Sequence, residues 1–121
     1  DYDTAIAHYT GALGFELLED TDRGGGKRWV RVAPRGSSET GLLLAKASDA
    51  AQQARIGDQH GGRVGFFLQT DDFWRDHARM KAAGVEFVET PREEAYATVA
   101  VFRDLYGNRW DLLQAKEAPP A

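Results

Sequence analysis

The chain has 121 residues, one domain's length and enough to bury a single core. Its apolar and charged fractions, 42% and 28%, and its net charge of −4 are those of an ordinary soluble globular protein. Charges of both signs are mixed and no apolar run reaches spanning length, which argues against a nucleic-acid or membrane surface. With no cysteine there is no disulfide framework, no thiolate nucleophile and no Cys-based zinc site; a cytoplasmic location is expected. No signal peptide is visible, but the chain opens at Asp1 without Met, so its natural start is expected to lie upstream.

In chain order, Asp1 to Gly14 reads as a helix. Asp1 or Asp3 caps it, Ala5, Ile6, Tyr9, Ala12 and Leu13 keep helical spacing, and Gly14 ends it. Phe15 to Asp20 follows as a strand and Thr21 to Gly26 as a loop. Gly24-Gly25-Gly26 lacks the Lys-Ser/Thr and helix start of a phosphate-binding loop, so it reads as a plain turn. Lys27 to Ala33 alternates as a strand, with Trp29 and Arg31 on one face. Thr40 to Ala47 is a short apolar strand, and residues 48–62 form a polar connection, a linker or a flap.

Arg63 to Thr70 is a strand whose alternation groups Gly65, Phe67 and Gln69. Asp71 or Asp72 caps a second helix, which runs to about Ala83, and Gly84 ends it. Val85 to Glu89 is a strand and Pro91 to Glu94 a loop. From Ala97 to Gln114, two apolar runs flank the turn chemistry of Asp104 and Gly107-Asn108 and predict a hairpin. A mobile tail is expected over residues 115–121.

The two halves echo each other. Each has an Asp-capped helix, a glycine stop, a strand and two more strands, the last rich in Leu. The pattern predicts an α+β fold of two βαβββ modules, about residues 1–47 and 63–114, whose curved sheets enclose a cleft. The first strand of module one is not in this chain.

Asp111 stands in the middle of the last strand, where Asp is depleted and a buried charge is costly unless paired or metal-bound. It reads as a ligand or general base, or as a carboxylate paired with Arg109, Arg63 or Arg31. Gln69 is a candidate hydrogen-bonding group, and Trp29 and Phe67 line a face suited to a flat or apolar ligand unless they simply fill core. Trp110 faces away from Asp111 and packs under a helix. His60 lies in the loop before Gly65; His8 and His77 fall on helices and read as surface or packing residues.

The run Asp1, Ala5, His8-Tyr9, Leu13-Gly14-Phe15 resembles the opening motif of the vicinal oxygen chelate superfamily, which includes glyoxalase I, extradiol dioxygenases and bleomycin-resistance proteins. His8 stands where an aromatic is usual. Asp104 to Leu112 (DLYGNRWDL) resembles the family's closing motif. The resemblance implies four metal-ligand positions. One falls on Asp111, one on Gly65 or Arg63, one near Leu42, and one upstream of Asp1. Asp can hold a hard cation, but neither Gly, Leu nor protonated Arg is a ligand. The expectation is a small-molecule-binding protein with an aromatic cleft, no cofactor and no family metal site. Its expected site residues are Trp29, Arg31, Arg63, Gly65, Phe67, Gln69, Arg109 and Asp111. The alternative is a lyase, isomerase or dioxygenase using Zn, Mn, Fe or Ni, with Asp111 as a metal ligand. A metal-free enzyme with Asp111 as base is a third possibility. The resemblance also implies a homodimer.

Overall fold

The structure, a computed structural model, describes residues 1–116. The expected tail from residue 117 on lies outside the described residues. The chain divides into two compact units between Ala54 and Arg55, inside the expected connection. No helix among the described residues is long and apolar enough to cross a membrane.

The first unit opens with α1 (Tyr2–Ala7), capped by Asp1, whose carboxylate accepts from the Thr4 amide at 2.9 Å. The expected single helix then widens into a π-helical turn, His8–Ala12. Thr10 gives a local reason: its hydroxyl donates to the Ile6 carbonyl at 2.7 Å, the side-chain back-bonding that bends helices. Ala5, Tyr9 and Leu13 form the buried stripe.

β1 (Phe15–Gly24) and β2 (Lys27–Pro34) make a hairpin, and β3 (Leu42–Leu44) extends the sheet in the order β1-β2-β3. β1 runs four residues past its expected end, because Thr21 pairs with Trp29 and Asp22 with Arg28. The turn is only Gly25-Gly26, both at positive φ, as a tight hairpin turn requires. β3 is shorter than expected, three residues rather than eight. The expected connection holds a short helix, α2 (Ala50–Gln53), capped by Asp49.

The second unit is a sheet ordered β4-β8-β7-β5. β4 (Val64–Gln69) lies parallel to β8 (Arg109–Ala115); β8 is antiparallel to β7 (Ala97–Arg103), and β7 to β5 (Glu86–Phe87). Arg92–Glu93, expected in a loop, pairs with β7 as a two-residue strand, β6. Ala115, expected at the start of the tail, still pairs with Ala97. α3 (Phe73–Ala82) is capped by Asp72. Gln114 ties the start of this helix to β8: its Oε1 accepts from the Phe73 amide at 2.8 Å and its Nε2 donates to the Asp71 carbonyl at 3.1 Å.

The sheet's helix side is the core. Phe73, Met80, Phe102, Trp110 and Leu112 are all nearly or fully buried. Aromatic rings run along it: Phe66 against Trp110 at 4.7 Å, Trp110 stacked on Phe102 at 5.9 Å, then Phe87, and His77 from α3. Burial in this cluster, with Lys81 nearby, pulls the His77 pKa below its usual value. His77 packs as one more ring of this cluster.

The two-faced sheet and its candidate functional site

The register of the β7–β8 hairpin positions everything on the other face of this sheet. Asp104 fixes the turn. Its Oδ1 accepts from the Tyr106, Gly107 and Asn108 amides at 2.9–3.0 Å, and its Oδ2 accepts from the Asn108 side chain at 3.0 Å. Gly107, at φ 104°, takes a conformation that a side chain resists. Asp104 and Asn108 are both buried, so this turn is a rigid clamp.

From that turn the ladder runs in step: Arg103 opposite Arg109, Val101 opposite Asp111, Val99 opposite Leu113. Across β8, Phe67 pairs with Asp111 and Gln69 with Leu113. Directly paired residues project to the same side of a sheet. Phe67, Asp111 and Val101 therefore form one row across three strands, flanked by the rows of Gln69-Leu113-Val99 and Arg109-Arg103. Trp110, 3% exposed, lies on the opposite side, as alternation predicts.

Phe67 is 66% exposed in this row. Asp111 is half-buried, and its Oδ1 is fully buried with no hydrogen-bond donor among the described residues. Burial raises the Asp111 pKa; Arg92 opposes the rise and Glu89 adds to it. None of the ion pairs among the described residues involves Asp111 or Arg109. Of the two readings of Asp111, the one that pairs it with Arg109, Arg63 or Arg31 finds no such ion pair among the described residues. Arg92, expected in a loop, is held by Glu89 at 3.0 Å and by Glu94 at 2.8 Å. Glu89 also accepts from the Val101 amide at 3.0 Å.

The other expected site residues are placed differently. Gly65 does not share the face of Phe67. Val64 pairs with Arg109 and Phe66 with Trp110, so Gly65 is the extra residue of a bulge. A Cβ there would collide with the His60 imidazole, which packs edge-on against Phe66 at 5.2 Å. The His60 ring thus fills the space that Gly65 leaves empty. Arg63 is exposed and precedes β4. In the first unit, Arg31 binds Glu19 at 3.1 Å and stands opposite Leu43. Trp29 is 41% exposed, with the Arg23 guanidinium over its ring.

The donor set does not fit the family's metal centre. Of the positions the resemblance marks in this chain, Leu42 and Gly65 offer no donor and Asp111 offers one. Among the described residues no three His, Asp or Glu side chains group closely enough to hold an ion.

The fold and this face define an α+β protein whose second sheet has one side sealed by a helix and the other bearing an open aromatic ring beside an unpaired carboxylate. Residues 1–112 match the Glyoxalase/Bleomycin resistance protein/Dioxygenase superfamily, and the chain belongs to it. It is 55% identical over 121 residues to an uncharacterized protein of Shewanella frigidimarina (strain NCIMB 400), covering 99% of this chain and 90% of that one. It resembles the crystal structure of UcmS2 with a TM-score of 0.81 and 31% identity, over 93% of this chain and 89% of the other. It also resembles TnmS3, an antibiotic binding protein from Streptomyces sp. CB03234. There the TM-score is 0.75 and the identity 31%, over 96% of this chain and 88% of the other.

Proposed function

We propose that the chain is a small-molecule-binding protein that works without the family's metal centre and holds an aromatic compound against the Phe67–Asp111 face. The observation that carries this reading is Phe67, a large apolar residue two-thirds exposed on β4 beside a carboxylate. An open ring next to one polar anchor is the chemistry of a ligand site: area for affinity, one group for orientation. The likeness to an antibiotic binding protein supports the same class. Gln69, Leu113 and Arg109 complete the face. Trp29 and Arg31 lie on β2 of the first unit, and Arg63 stays at the entry to β4.

The test is a thermal-shift screen of planar aromatic compounds on protein treated with chelator. A true ligand at a hundred times its Kd stabilises by about 2.7 kcal/mol. Hits should lose their effect in Phe67→Ala. Hits that stabilise Phe67→Ala as well as the wild type would place binding elsewhere.

One observation favours a second reading, an enzyme in which Asp111 binds a divalent ion: its Oδ1 is buried without a donor. That reading predicts metal uptake that Asp111→Ala abolishes. Uptake unchanged by the substitution would remove Asp111 from the role.

We also propose a homodimer. The outer edge of β3 has no pairing partner among the described residues, and an open strand edge favours pairing with another chain.

A further inference from the structure

The face carries two charges of opposite sign that do not neutralise each other. Asp111 and Arg109 lie two residues apart on β8 and project to the same side, about 7 Å apart by strand rise. Each lacks an ion-pair partner among the described residues. The neighbouring charges are already engaged. Arg92 is shared by Glu89 and Glu94, and Arg103, directly opposite Arg109, binds Glu86 at 3.4 Å. Arg103 and Arg109 are cross-strand neighbours, and Glu86 binds Arg103 from β5, on the side away from β8, which leaves the Arg109 guanidinium available to an anion. At the other end Asp111 has no donor. Phe67 stands beside Asp111, not beside Arg109.

We propose that this face selects flat aromatic acids that carry a hydrogen-bond donor, such as a hydroxyl, at the far end of the ring system. The ring lies on Phe67, the donor reaches Asp111, and the acid group meets the Arg109 guanidinium. A guanidinium suits this because its planar fork matches a carboxylate. Burial, the largest influence, raises the Asp111 pKa, as fits a carboxylate that water reaches poorly. This inference rests on the binding function proposed above and narrows it to a ligand class.

The test uses three fluorescent probes that differ only in their polar ends: 6-hydroxy-2-naphthoate, 2-naphthol and 2-naphthoate. Each is titrated into wild-type protein and into Phe67→Ala, Asp111→Asn and Arg109→Gln, whose circular dichroism spectra are first matched to wild type. The hydroxynaphthoate should bind wild type at least about tenfold tighter than either partial probe, the scale of one charge-assisted hydrogen bond. Asp111→Asn should erase its advantage over 2-naphthoate, and Arg109→Gln its advantage over 2-naphthol. Arg109→Lys should keep part of the acid preference, which separates charge from a folding defect. Phe67→Ala should weaken all three probes. Equal binding of the three, still sensitive to Phe67→Ala, would overturn the ligand class and leave the binding site standing. No binding of any probe would overturn both.

Discussion

Phe67 and Asp111 are direct neighbours across the parallel β4–β8 pair, and they break the burial rule in opposite directions. The apolar ring is 66% exposed, while the carboxylate has a fully buried oxygen without a donor. Stability alone favours neither arrangement, since an apolar ring gains from burial and a buried charge needs a partner. On the proposed reading, a ligand covers the ring and supplies the missing donor.

Asp111→Asn should stabilise the protein at neutral pH. Burial, the largest influence, raises the Asp111 pKa in the folded state; Arg92 counteracts it and Glu89 reinforces it. A group whose folded pKa lies above its unfolded value favours folding fully below the unfolded pKa. That contribution is lost as pH rises through the folded pKa. Relative to pH 3, this group therefore weakens the wild-type fold at pH 7, and the amide escapes this. The gain should be on the order of 1 kcal/mol at pH 7, the scale for a poorly solvated polar group, and should vanish towards pH 3. Urea unfolding at both pH values measures it. A destabilised variant at pH 7 would mean that the carboxylate has a stabilising partner.

Asp104→Ala should cost at least about 3 kcal/mol, because it strips the acceptor from three backbone amides in a buried turn. Asp104→Asn keeps one acceptor oxygen and should lose less. Urea midpoints rank the two. If the variants are equal, or both near wild type, the turn does not depend on this carboxylate.

Gly65→Ala should cost about 1–3 kcal/mol by overpacking, because the new methyl needs the space of the His60 ring. In a His60→Ala background the same change should cost much less. The coupling read from a double-mutant cycle should reach about 1 kcal/mol. Additive costs would show that the imidazole does not occupy the glycine's space.

Light scattering at micromolar concentration should give twice the chain mass if the open edge of β3 is paired with a second copy. A mass of 13.4 kDa would contradict the proposed dimer.

Much of the fold is legible in the sequence because the signals are local. Glycine stops after both helices, an Asp before each, and the Asp104 turn each act within a few residues. The opposition of Trp110 and Asp111 follows from strand alternation alone. Alternation fails at Gly65, where a bulge adds a residue and reassigns every face before it. A lone glycine in a strand can signal such a close approach, and the ring of His60 is what approaches. Arg92 stayed hidden because a two-residue strand has no period to detect, and its partners Glu89 and Glu94 come together only through pairing with β7. The split of the first helix into α and π turns on one hydroxyl, Thr10, too small a cue to read in advance.

An aromatic ligand is proposed to sit on the Phe67–Asp111 face without a metal. The most direct measurement is amide chemical-shift mapping of chelator-treated protein titrated with 6-hydroxy-2-naphthoate. The predicted result is saturable shifts concentrated at Phe67, Val101, Arg109, Asp111 and Leu113, and absent from Phe67→Ala. Shifts that appear only after a divalent metal is added, or that cluster away from this face, would contradict the account.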